Sequence, residues 1–155
     1  MTESNRSTVG WAPSASSPLA VSVFAYGTLL FPEVMRRVIG RNPPSQQATL
    51  EGFARFLIRG ESFPGIVGDP ASRTHGLLFA GVRPNELASL DAYEGDLYVR
   101  RQVSVALQGG GAADAVVYVV APSLRDQVSE LSWDPERFAA EGLQAFIEAL
   151  PGEPP

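Results

Sequence analysis

The sequence predicts an α+β fold in which a small, mixed, barrel-like β-sheet carries short flanking helices. Five to seven β-like segments are separated by short helices at unequal spacing, unlike the regular alternation of strand and helix in a doubly wound sheet. The chain has 155 residues, of which 45% are hydrophobic. This size and composition suit one domain with a single core.

The N-terminal segment 1–18 is rich in Ser, Thr, Asn and Pro and has few apolar residues to bury. We therefore expect a disordered tail over 1–18, followed by a single domain over 19–150. A first strand is predicted from residue 19 to about 26, and a glycine turn follows it. A short helix is predicted over 32–39, because Pro32 suits the first helical position and Gly40 suits the end of a helix.

The middle of the chain is predicted to be largely extended. One strand is expected over 48–58, with Gly52 as a bulge. A turn at 62–65 leads to a short extended piece at 66–67, and a separate strand is predicted over 76–82.

A second helix is predicted over 84–93. Leu87, Leu90 and Glu94 fall on one face of this helix at positions i, i+3 and i+7. The spacing therefore places Glu94 near apolar residues at the end of the helix.

The C-terminal third is predicted to be a hairpin followed by one helix. Residues 98–107 alternate with the period of a half-buried strand, and three glycines then turn the chain. Residues 115–120 are apolar at every position, as expected of a central strand covered on both faces. Asp134 is predicted to cap a single helix that begins at Pro135 and ends before Pro151.

Composition excludes several classes of function. The net charge of −5 and the pI near 4.8 disfavour nucleic acids and anionic membrane surfaces as partners. There is no cysteine, and His75 is the one histidine, so we expect no disulfide, no thiol nucleophile, no thiolate metal site, no cluster of imidazole ligands and no structural zinc. No apolar run is long enough to span a bilayer, and the N-terminus lacks a leader pattern, so a cytoplasmic location is expected.

Two segments are candidates for a functional site. The glycine loop (Tyr26-Gly27-Thr28-Leu29) directly follows a strand, and such a turn leaves backbone N–H groups free to bind an anion. Glu94 stands beside Gly95 at the end of the second predicted helix, where a carboxylate could transfer protons. On local grounds alone, Gly27 could equally serve only a tight turn, and Glu94 could be a solvated residue at a helix end.

Three motifs, in this order, resemble those of the γ-glutamylcyclotransferase-like superfamily, which includes γ-glutamylamine cyclotransferases and plant avirulence-induced-gene proteins. Residues 24–29 resemble its signature loop, and Phe63-Pro64-Gly65 resembles its aromatic-Pro-Gly turn. Residues 90–95, followed by Tyr98-Val99-Arg100, resemble its catalytic-glutamate segment. The resemblance covers residues 23 to about 118 and implies a small mixed barrel with helices packed outside.

The resemblance also implies a reaction. The α-amine of a γ-glutamyl amine or amino acid attacks its own γ-carbonyl, which releases 5-oxoproline and a free amine without a metal or cofactor. Backbone N–H groups of Gly27, Thr28 and Leu29 are expected to hold the α-carboxylate of this small-molecule substrate, with Tyr26 lining the pocket. The enzyme is expected to be a monomer or a homodimer.

Glu94 is expected to act first as the base and then as the acid in this reaction. Burial against Leu87 and Leu90, together with the C-terminal end of the helix dipole, should raise its pKa. Tyr98 is expected to hydrogen-bond Glu94 or the substrate. Two alternatives remain open: a non-catalytic module that binds a small carboxylate, and a hydrolase in which Glu94 activates water.

Overall fold

Six strands form one mixed sheet in the computed structural model, which describes residues 19–151. The predicted tail over 1–18 lies outside these residues. The strands are β1 (Val21–Ala25), β2 (Ser45–Ile58), β3 (Pro64–Val82), β4 (Tyr98–Leu107), β5 (Ala112–Val120) and β6 (Val128–Ser132).

The sheet closes on itself as a five-stranded barrel. Its strand order is β3-β1-β5-β4-β2, and β2 also pairs with β3, which closes the barrel. Strand β6 lies outside the barrel order and pairs with the C-terminal end of β2. The β1–β5 pair is parallel and the other pairs are antiparallel. The predicted mixed barrel-like α+β fold is therefore confirmed.

Along the barrel strands, successive apolar side chains point alternately into two clusters. One fills the barrel with side chains from all five strands, including Phe24, Leu50, Leu78, Val105 and Val117. The other lies between the barrel and the helices on its outside. Strand β5 contributes alternate residues to both clusters, and Val120 at its end packs in a third cluster with Ile58 and Val67. This explains why its residues 115–120 are apolar at every position.

Within residues 19–151, four α-helices flank the barrel: α1 (Pro32–Ile39), α2 (Pro84–Glu94), α3 (Pro135–Glu141) and α4 (Leu143–Ala149). Helix α1 has the predicted bounds and ends at Gly40, which adopts a left-handed conformation. The single C-terminal helix predicted from Pro135 is instead two helices, because Gly142 leaves the helical conformation between them. No helix within 19–151 is long and apolar enough to cross a membrane.

The largest departure from the predicted elements is in β3. The extended pieces predicted at 66–67 and 76–82 belong to one strand, because β2 pairs with both along a long hairpin. The pairing register shifts at Gly52, whose φ of 87° marks the predicted bulge. Strand β6 was not predicted, and it pairs with β2 only at Phe56 and Ile58.

Candidate active site

A cavity of about 370 Å³ opens beside the end of β1, and its size suits a small-molecule ligand. The glycine loop forms one part of its wall, Glu94 at the end of α2 forms another, and Tyr98 at the start of β4 completes the set. The structure thus brings together all six site residues singled out from the sequence. The other lining residues are Phe24, Ala25, Phe63, Pro64, Tyr93, Asp96, Leu97, Tyr118 and Phe146.

The glycine loop presents backbone donors at the cavity wall. After β1 the chain enters a 3-10 turn over Thr28–Leu30, in which the amide of Leu30 donates to the carbonyl of Gly27 at 3.0 Å. We find no acceptor within the described part of the chain for the backbone N–H groups of Gly27, Thr28 or Leu29. Three neighbouring N–H groups without partners suit a carboxylate or another anion.

Helix α2 is anchored at its start by a buried carboxylate. Arg41 donates two hydrogen bonds to Glu86, at 2.6 and 2.8 Å, and Arg83 donates a third at 3.1 Å. Burial alone would raise the pKa of Glu86, but the hydrogen bonds from Arg41 and Arg83 reverse this effect and hold it at about 2. Further along the helix, fully buried Leu90 packs in the outer cluster, and Glu94 follows one turn later.

The carboxyl of Glu94 has an unusually high pKa. Its side chain is half-buried because it faces the cavity, and burial raises its pKa from 4.5 to about 8. The predicted direction of this shift is confirmed. Leu87 and Leu90 pack in the outer cluster and do not line the cavity, so the predicted burial of Glu94 against them stays a prediction.

Tyrosines share the cavity wall with Glu94. The chain contains four tyrosines, and all four line the cavity. Burial raises the pKa of each one, and the nearby charge of Glu94 adds to the rise. Sequence reasoning missed Tyr93 and Tyr118 as site residues.

The hydroxyl groups of three tyrosines donate their protons in hydrogen bonds to other residues of the protein. Tyr26 donates to the backbone carbonyl of Tyr118, Tyr118 donates to Asp91 Oδ1, and Tyr98 donates to the carbonyl of Pro64, each at 2.6 Å. Because a hydroxyl has one proton, these groups can only accept hydrogen bonds from a ligand. They therefore favour a ligand that is itself a donor, such as an ammonium group.

One expected contact is absent and one further contact completes the site. The hydroxyl of Tyr98 donates to Pro64 and not to Glu94, and the other expected partner of Tyr98, the substrate, stays a prediction. Tyr93 shares a 2.6 Å hydrogen bond with Thr28 Oγ1. This bond ties the last turn of α2 to the glycine loop.

The fold and the cavity define a class of protein: a small mixed barrel in which a strand-to-helix glycine loop and a buried carboxyl share one pocket. The chain belongs to the gamma-glutamyl cyclotransferase, AIG2-like family, whose sequence model matches residues 23–135. The resemblance inferred from the three motifs is thereby confirmed.

Relatives agree with this assignment. AIG2-like protein A of Arabidopsis thaliana is 32% identical over 129 residues, which cover 83% of this chain and 78% of that protein. A solution structure from the same plant is similar with a TM-score of 0.67 at 31% identity, covering 87% of this chain and 91% of that one. A gamma-glutamyl cyclotransferase structure has a TM-score of 0.56 at 21% identity, over 86% and 89% of the two chains. That similarity shows the shared fold.

Proposed function

We propose that this protein is a γ-glutamyl cyclotransferase that converts a γ-glutamyl amine or γ-glutamyl amino acid into 5-oxoproline and a free amine. The observation that carries the proposal is the placement of Glu94 and three unpartnered loop amides on one small cavity. Membership of the family supports the same reaction class.

The substrate brings its own nucleophile, so the protein needs to orient it and move protons. The α-amine attacks the γ-carbonyl, a carbon–nitrogen bond closes the five-membered lactam, and the bond to the leaving nitrogen breaks. Backbone N–H groups of Gly27, Thr28 and Leu29 would hold the α-carboxylate and so keep the flexible chain folded for attack.

Glu94 would remove one proton from the α-ammonium group so that the amine can attack, and would later deliver it to the leaving nitrogen. The attacking nitrogen loses its second proton as the lactam forms, and the released amine takes up a proton and leaves as an ammonium ion. A base with a pKa of about 8 is partly ionised at neutral pH and retains enough basicity to take an ammonium proton. The hydroxyls of Tyr98 and Tyr118, which can only accept, would favour the ammonium next to Glu94. Tyr26 would support this arrangement by lining the cavity.

Product analysis tests this reaction against its two alternatives. The purified full chain is incubated with γ-glutamyl amines and γ-glutamyl amino acids in water enriched in ¹⁸O, and the products are identified by mass spectrometry. Cyclisation yields unlabelled 5-oxoproline. A hydrolase yields glutamate that carries one ¹⁸O atom.

Two variants complete the test. Glu94→Gln should abolish most 5-oxoproline formation, whereas Glu130→Gln, on the exposed face of β6, should leave it unchanged. If the wild-type protein binds 5-oxoproline in calorimetry but converts none of these substrates, it is a binding module and the proposal is wrong.

A further inference from the structure

Arg55 of β2 is a cation held by backbone oxygens. Its Nη1 atom donates to the carbonyl of Tyr26 at 2.8 Å and to the carbonyl of His75 at 3.3 Å. The guanidinium lies over the ring of Trp133, 5.4 Å from the ring centre. Within 19–151, no carboxylate forms an ion pair with Arg55, although Asp134 acts on it through space.

Partly burying a guanidinium without a paired carboxylate costs desolvation free energy. The remaining contacts of Arg55 must offset this cost, and they also hold its side chain in place. Trp133 is itself fixed, because it is buried and its indole N–H donates to the carbonyl of Ser62 at 2.9 Å. Stacking on this ring and two carbonyl acceptors leave Arg55 little freedom. Its hydrogen bond to Tyr26 is thus held in a defined direction.

The carbonyl that Arg55 binds belongs to the same peptide unit as the N–H of Gly27. In a trans peptide, C=O and N–H point to opposite sides of the chain, and no cis peptide occurs among the described residues. Arg55 does not line the cavity, whereas Gly27 does. The bond from Arg55 therefore turns the Gly27 N–H away from Arg55, and Gly27 itself lies on the wall of the cavity.

We propose that Arg55 is a positioning residue for the glycine loop: it fixes the plane of the Tyr26–Gly27 peptide and strengthens the Gly27 N–H as a donor to the substrate's α-carboxylate. A charge-assisted hydrogen bond to a carbonyl polarises the whole peptide, which makes its N–H a better donor. This inference rests on the proposed function, because the carboxylate in question is that of the γ-glutamyl group.

The test pairs each variant with a substrate that lacks the carboxylate. The 4-aminobutanoyl amide of the same leaving amine can cyclise in the same way, to pyrrolidin-2-one, but has no α-carboxylate. Arg55→Met removes the cation, and Arg55→Lys keeps a cation that can reach the Tyr26 carbonyl. Arg59→Met is the matched control, because Arg59 also donates to a backbone carbonyl, that of Asp126 at 3.0 Å, away from the cavity.

We expect Arg55→Met to lose about tenfold to a hundredfold in kcat/KM on the γ-glutamyl substrate, mostly through KM. On the 4-aminobutanoyl substrate the loss should stay below about threefold, because the lost contact has no partner there. Arg55→Lys should recover part of the loss, and Arg59→Met should match the wild type. Equal losses on both substrates, or no loss on either, would overturn the inference. If Arg55→Met does not fold, Arg55→Gln, which also lacks the cation, replaces it in the comparison.

An NMR measurement separates this inference from the proposed function. The amide resonance of Gly27 in the ligand-free protein should move in Arg55→Met and stay in place in Arg59→Met. If the wild type makes no 5-oxoproline from any substrate, the proposed function fails, and this resonance alone decides the role of Arg55. A Gly27 resonance that is unchanged in Arg55→Met would then contradict it.

Discussion

Replacing Glu94 by Gln should stabilise the protein at alkaline pH. In the native fold this carboxyl has a pKa of about 8, whereas in the unfolded chain it titrates near its ordinary value of 4.5. Between these two pH values the native state holds more protons than the unfolded state. The free energy of unfolding of the wild type therefore falls as pH rises through this window. Gln cannot titrate, so the variant lacks this loss.

The magnitude follows from the gap between the two pKa values. Each pKa unit corresponds to about 1.4 kcal/mol, which gives an upper bound of about 5 kcal/mol for the full titration of Glu94. Because the side chain is only half-buried, solvent screens part of its charge. We therefore expect a difference of about 1–3 kcal/mol between the two proteins above about pH 9.

Urea denaturation at about pH 5, 7 and 9 measures this difference directly. The stability advantage of Glu94→Gln over the wild type should grow from the lowest pH to the highest. Glu130→Gln, which changes an exposed carboxyl of β6, should follow the wild type throughout. Parallel stability curves for Glu94→Gln and the wild type would show that Glu94 is solvated like a surface residue.

Three further predictions concern the same fold and site. The kcat/KM for 5-oxoproline formation should rise with pH through a pKa of about 8, that of Glu94 in the free enzyme; a profile without this rise would contradict its role as base. Gly65→Ala would place a Cβ 2.4 Å from Val120 Cγ2, so urea denaturation should show a loss of about 1–3 kcal/mol, and an unchanged midpoint would refute the packing. Glu86→Gln leaves two arginines without their counter-charge and should cost about 1–3 kcal/mol in the same assay. Glu51→Gln, in an exposed 3.9 Å ion pair, should cost less than about 1 kcal/mol, and equal costs would contradict the anchoring of α2.

Elements with strong local signals were predictable from the sequence. Helix α1 lies between Pro32 and Gly40, which set its ends without help from the rest of the chain. Strand β3 was not predicted as one element, because a polar run with a proline at position 70 interrupts its apolar pattern. Its continuity depends on pairing with β2, and a strand pairing across a long hairpin leaves little trace in a local window.

The residues of the candidate site also differ in whether a local sequence pattern predicts them. The glycine loop and Glu94 have local signals, a glycine after a strand and a carboxylate at a helix end, and the structure brings both to one cavity. Tyr118 is 92 residues from Tyr26, and the two meet only because β1 and β5 pair in parallel. Arg55 of β2 reaches the glycine loop because β2 pairs with β3, the neighbour of β1, and so closes the barrel.

The rate of 5-oxoproline formation by Glu94→Gln tests the proposed role of the cavity most directly. The substitution keeps the size of the side chain but removes its ability to accept an ammonium proton. We predict that kcat falls by about 10²–10⁴-fold, while the affinity for 5-oxoproline stays within a few-fold of the wild type because the carboxylate is bound by the glycine loop. A kcat close to that of the wild type would show that Glu94 is not the base.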